Sequence, residues 1–111
     1  MYKLLIVTDR EDIRQMFLQE IDWARLSCRT PKMAETAEEA IELLNTSAVD
    51  AVGIHLAEAK ASPLVRFLNY GRPSLPMFSV YSTLEKQMAV LKDTRQLLDR
   101  LHQDFSDDVY D

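Results

Sequence analysis

The stretch Asp50-Ala-Val-Gly-Ile-His-Leu56 decides how the rest of the chain is read. It is an apolar run of strand length, bounded by a polar turn before it and small residues after it. Immediately upstream, Thr36-Ala-Glu-Glu39 has the spacing of a capping box. There Thr36 can cap a helix through Ala40, Ile41, Leu43 and Leu44 while Glu39 reaches back. Further upstream, Lys3–Thr8 is a second, nearly uninterrupted apolar run, as expected of a strand buried on both faces. A helical period follows through Ile13, Met16 and Phe17. Ser27–Met33 supplies a short strand that Pro31 places at an edge or ends early.

Downstream of Leu56, a small-residue loop over Ala57–Ser62 is expected to lead into a helix carrying Leu64, Val65 and Leu68. Gly71-Arg-Pro73 ends it, and Pro76–Tyr81 is the fourth strand. Ser82-Thr-Leu-Glu85 reads as a second capping box and Asp93-Thr-Arg-Gln96 as another. Leu84, Met88, Leu91, Leu98, Leu101 and Phe105 then form either one long helix or two meeting near Asp93. The tail, Ser106–Asp111, is acidic and expected to fray.

This alternation implies parallel strands with helices on both faces, an α/β three-layer doubly wound sheet with no fifth strand. The length of 111 residues predicts one domain spanning 1–111. A net charge of -5 leaves no footprint for nucleic acid or an anionic membrane. The apolar run Leu4–Val7 is too short to span a bilayer, and a soluble, cytoplasmic protein is expected. Cys28 has no second cysteine to pair with and reads as a small apolar residue.

The residues up to Ser27, with Ile13-Arg14 and Ile21-Asp22-Trp23, resemble the opening of response-regulator receiver domains attached to AraC-type DNA-binding domains. Ala34–Leu44 resembles the second receiver helix, and Val49–Leu56 the strand that normally delivers the phosphoacceptor aspartate. The resemblance implies a receiver (flavodoxin-like) topology, truncated to four strands with a C-terminal helix in place of the fifth.

It also implies a phosphorylation pocket, and here that pocket is depleted. His55 stands where the nucleophilic aspartate is expected. Thr8-Asp9 replaces an acidic pair, and Tyr81 replaces a small hydroxyl residue. Lys86 and Lys92 do not precede proline, so the Lys-Pro pair has no counterpart. One carboxylate and an imidazole make a poor Mg²⁺ site, because that ion prefers an octahedron of oxygens. No metal, cofactor or catalytic residue is therefore expected. Asp9 reads first as a helix cap, His55 as a polar residue at a retired site, and Asp50 as lying at the opposite end of the sheet. Trp23 reads as packing beneath the first helix.

Loss of the fifth strand would leave the fourth as an apolar edge, and such edges invite pairing. The expected function is a non-catalytic, phosphorylation-independent signalling module acting on a protein partner or as a homodimer. Its candidate interaction face is Tyr81, Met88 and Leu91, and no direct contact with nucleic acid or a membrane is expected. The alternatives are a small-molecule sensor using Thr8, Asp9, His55 and Tyr81, and an enzyme with residual phosphotransfer. A transcription regulator of the two-component type is the context the resemblance suggests.

Overall fold

The computed structural model describes residues 1–110, with side chains for residues 1–103. Its strands are β1 (Leu4–Thr8), β2 (Lys32–Ala34), β3 (Ala51–His55) and β4 (Met77–Ser79). The helices are α1 (Glu11–Gln15, running on as a wide turn over Met16–Glu20), α2 (Ala37–Thr46), α3 (Glu58–Gly71) and α4 (Leu84–Tyr110). The strands form one parallel sheet in the order β2-β1-β3-β4. The expected fraying of Ser106–Asp111 and the packing of Phe105 fall outside the described side chains.

Every residue of β1 is buried, and its alternating side chains supply two cores. Leu4 and Ile6 join Ile13, Phe17, Trp23, Leu91 and Leu98 on the side of α1 and α4. Leu5 and Val7 join Ala40, Leu44, Leu64 and Leu68 on the side of α2 and α3. The result is a three-layer α/β sandwich, as the alternation of elements implies. Each fully buried aliphatic side chain contributes about 1.5–3 kcal/mol through removal from water.

Local chemistry explains most boundaries. Thr36 Oγ1 accepts from the Glu39 N–H at 3.1 Å, while Glu39 Oε2 accepts from the Glu35 N–H at 2.9 Å. The box thus closes one residue earlier than its simple form. Trp23 stacks on Phe17 at 5.9 Å and donates its indole N–H to the Phe17 carbonyl at 2.7 Å. That carbonyl belongs to the wide turn after α1, where the regular helical ladder is interrupted. The Ser27–Met33 strand is shorter than expected: a single bridge joins Tyr2 to Cys28, and pairing resumes only at Lys32, beyond Pro31. β2 is an edge strand, as Pro31 suggested.

One sequence expectation is corrected, and one open alternative is decided. Ala57–Ser62 is not a loop, because α3 begins at Glu58. Glu58-Ala-Lys-Ala61 is good helix-forming sequence, and Pro63 is accommodated inside the helix. Asp93 does not separate two helices: α4 continues through it, and Thr94 Oγ1 bonds back to the Val90 carbonyl at 2.8 Å.

α4 turns Gln87, Leu91, Thr94 and Leu98 into the body, at spacings that keep them on one stripe. Gly53 makes room on this side of the sheet. A Cβ there would sit 2.5 Å from the Phe78 ring and 2.8 Å from Val80 Cγ2. Among the described residues no helix is long and apolar enough to cross a membrane.

Candidate functional site

The C-terminal ends of the strands carry three of the four pocket residues expected from sequence. Thr8 and His55 are register partners on adjacent strands, so they lie side by side on the face of α1 and α4. Thr8 is fully buried, and its Oγ1 accepts from the Arg10 N–H at 3.2 Å. His55 is half-buried. Asp9 does not cap α1: the cap position is Arg10, which makes no side-chain capping bond. The Asp9 carboxylate instead receives the Lys60 ammonium at 3.2 Å. Because α3 starts as early as Glu58, its first turn brings Lys60 to this point.

The neighbouring charges are also paired. Arg10 holds Asp12, lowering its carboxyl below the usual range chiefly through their hydrogen bond, and Arg14 bridges to Glu35. The Arg10–Asp12 pair lies largely in solvent and contributes little to stability. A cavity of about 370 Å³ opens beside Asp9, walled by Glu35, Thr36, Glu38, Leu56, Lys60 and Pro63. Thr8, His55 and Tyr81 are not among its walls. Among the described residues, no three His, Cys, Asp or Glu side chains converge as a metal ion would require.

Tyr81 does not join the other three. It follows β4, beyond β3 from Thr8, and its backbone N–H donates to Gln87 Oε1 at 2.6 Å. Asp50 and His102 lie at the other end of the sheet. Asp50 Oδ2 accepts from the Lys3 N–H at 2.7 Å, and the His102 ring packs 5.3 Å from Tyr2. Tyr2 donates its hydroxyl to Asp99. Burial, then that bond and the Asp99 charge, push the Tyr2 hydroxyl up to about 12. Arg95 approaches the same carboxylate at 3.5 Å, with its Nε lacking hydrogen-bond geometry. Burial likewise raises the Cys28 thiol.

The edge of the sheet is arranged differently. The Val52 N–H donates to the Pro76 carbonyl at 3.0 Å, and the register pairs Val52, Gly53 and Ile54 with Met77, Phe78 and Ser79. The main-chain groups of residues 76, 78 and 80 therefore point into the sheet. Those of Met77, Ser79 and Tyr81 point outward.

Gln87 meets two of the outward groups. Its carboxamide accepts from the Tyr81 N–H and donates to the Ser79 carbonyl at 3.1 Å. A side-chain amide thus does what the N–H and C=O of one residue in a further parallel strand would do. The residue is completely buried. Sequence reasoning missed it, although a glutamine on the stripe shared by Leu91, Thr94 and Leu98 was a visible signal of a buried polar role. Among the described residues no Ser82–Glu85 capping bond forms; the Gln87 N–H reaches the Thr83 carbonyl at 3.1 Å.

The expected interaction face needs correction at Leu91, which is 3 % exposed and part of the α1/α4 core. Met88 is half-buried against the same core. Tyr81 is open as expected, at 40 % exposed, and other open apolar groups include Met77 at 50 %, Leu97 at 37 % and Leu101 at 46 %. Phe78 and Val80 enter the α1/α4 core, which leaves Met77, Ser79 and Tyr81 on a face of β4 with little cover.

No family model matches the chain, and neither a curated protein nor a solved structure proves similar to it.

Proposed function

We propose that this chain is a non-catalytic, receiver-like module that acts through protein contact at the β4 edge. The observation that carries the reading is the edge itself: outward main-chain groups at Met77 and Ser79, beside exposed Met77, Tyr81, Leu97 and Leu101. Pro76–Tyr81 contains no charged residue to discourage a neighbouring strand.

The receiver comparison is supported by the sheet order β2-β1-β3-β4, which is the start of the 2-1-3-4-5 order of flavodoxin-like folds. On this reading one helix-strand unit is missing, and α4 takes the place of the last helix beside α1. Phosphotransfer is disfavoured by the chemistry of the strand ends. Aspartyl phosphorylation needs a carboxylate nucleophile and a divalent cation to neutralise the phosphoryl oxygens. His55 supplies an imidazole, and the single nearby carboxylate, Asp9, already holds an ammonium ion. Regulation would then come through a partner, in a cytoplasmic signalling pathway that includes transcription control.

Incubation with acetyl phosphate, or with beryllofluoride, in the presence of Mg²⁺ tests this reading by intact-mass spectrometry and thermal melting. Neither an added phosphoryl mass nor a shift in melting is expected, for the wild type or for His55→Asp. A covalent adduct on the wild type would overturn the non-catalytic assignment. The cavity beside Asp9 favours a second reading, a small-molecule sensor. A reproducible rise in melting temperature with a metabolite, abolished by Lys60→Ala, would establish it instead.

A further inference from the structure

We propose that the partner at the β4 edge is a second copy of this chain, the two β4 strands pairing antiparallel with Met77 opposite Met77. The inference rests on the protein-contact reading above and names its partner.

The pattern of satisfied and open groups along the edge selects this register. Among the described residues, Met77 keeps both its outward N–H and its outward C=O open, and Ser79 keeps its N–H. The Ser79 carbonyl and the Tyr81 N–H are taken by Gln87. A parallel neighbour running along the whole edge would have to compete with that buried amide. A two-fold axis at Met77 avoids the competition, because an antiparallel hydrogen-bonded pair exchanges one N–H and one C=O in each direction. Met77 has one of each. The edge is thus its own complement, as a two-fold interface requires.

Charge and surface point the same way. Each copy carries a net charge of -5, yet no residue from Pro76 to Tyr81 is charged, so this edge can meet itself without opposing like charges. Beside the strand, Leu101 lines a groove with Ser74, Leu75 and Pro76 that leads into β4. Leu97 lies one helical turn before Leu101 on the same side of α4. Two-fold pairing would bring the Met77 side chains of both copies together on the face of the sheet opposite α4.

The test is sedimentation velocity on the full chain up to about 1 mM, combined with cysteine cross-linking under mild oxidation. Paired residues in a hydrogen-bonded antiparallel site have Cα atoms about 5.5 Å apart, within disulfide range. Met77→Cys should therefore form a disulfide-linked dimer. Ser79→Cys should not, since its symmetry mate would lie roughly 14 Å away along the strands. Cys28 is buried and serves as the internal control in the wild type. Met77→Lys should weaken the dimer by about tenfold or more, through two opposed ammonium groups.

A wild-type dimer in which Met77→Cys links and Ser79→Cys does not supports the proposal. A wild type that stays monomeric throughout overturns it, and so does a dimer that Ser79→Cys links in preference. A phosphoryl adduct would sink the non-catalytic reading while leaving the sedimentation result untouched, so the two failures are separable.

Discussion

β1 and β4 are both short apolar runs, yet they occupy different physical situations. β1 is buried at all five residues, between two cores and two neighbouring strands. β4 alternates exposed, buried, exposed, has a strand on one side only, and has its outer edge partly closed by one glutamine. A hydrophobic run therefore reports that a strand exists. It does not report how many layers cover it, because cover comes from elements elsewhere in the chain.

The largest effect should come from a matched pair of truncations. Leu5→Ala removes a fully buried side chain from β1 and should cost about 2–5 kcal/mol. Met77→Ala on half-exposed β4 should cost under about 1 kcal/mol in the monomer. Urea unfolding of both variants measures the contrast, and equal losses would erase it.

Gln87 should give the next largest effect, sharpening the comparison at the edge itself. Gln87→Ala leaves the Tyr81 N–H and the Ser79 carbonyl without their partner, and should destabilise by roughly 2–3 kcal/mol. Gln87→Glu should be tolerated at acid pH, where a protonated carboxyl can both donate and accept. Burial raises the folded pKa of such a group above its unfolded value. Its contribution is therefore complete below the unfolded pKa, about 4.3, and is lost as pH rises through the folded one. A Gln87→Glu stability curve that stayed flat with pH would remove the strand-mimic role.

A smaller effect is expected at the N-terminal end of the sheet. The folded Tyr2 pKa of about 12 lies above the ordinary 10.0, so its contribution is full below pH 10 and fades as pH rises through 12. Tyr2→Phe should flatten that alkaline limb, read by urea unfolding between pH 9 and pH 12. The smallest effect should be that of Asp9→Asn, within about 0.5 kcal/mol, because the Lys60 pair is solvent-facing. A large loss there would mean that the strand ends matter more to the fold than the edge does.

Much of the fold was legible because its signals are local. The apolar runs around Ile6, Val52 and Phe78 each became a strand, and Thr36 caps α2 through the bond its spacing suggested. Trp23 packs beneath the first helix, and Asp50 lies at the end of the sheet away from His55. The small residues of Ala57–Ser62 misled because alanine also favours helix, and α3 begins among them at Glu58.

At the candidate sites the limits were sharper. Sequence placed Thr8, Asp9 and His55 at one end of the sheet, but not the Lys60 ammonium against Asp9, which depends on where α3 begins. It offered Leu91 as surface, whereas packing made it core.

What the sequence by itself determined is the alternation of strand and helix, hence a parallel α/β sheet. Only the tertiary structure decided which face of α4 meets the sheet, and so that Gln87 closes part of the β4 edge while Met77 stays open. The reason is physical: periodicity records which residues share a face, but burial depends on which distant element that face meets.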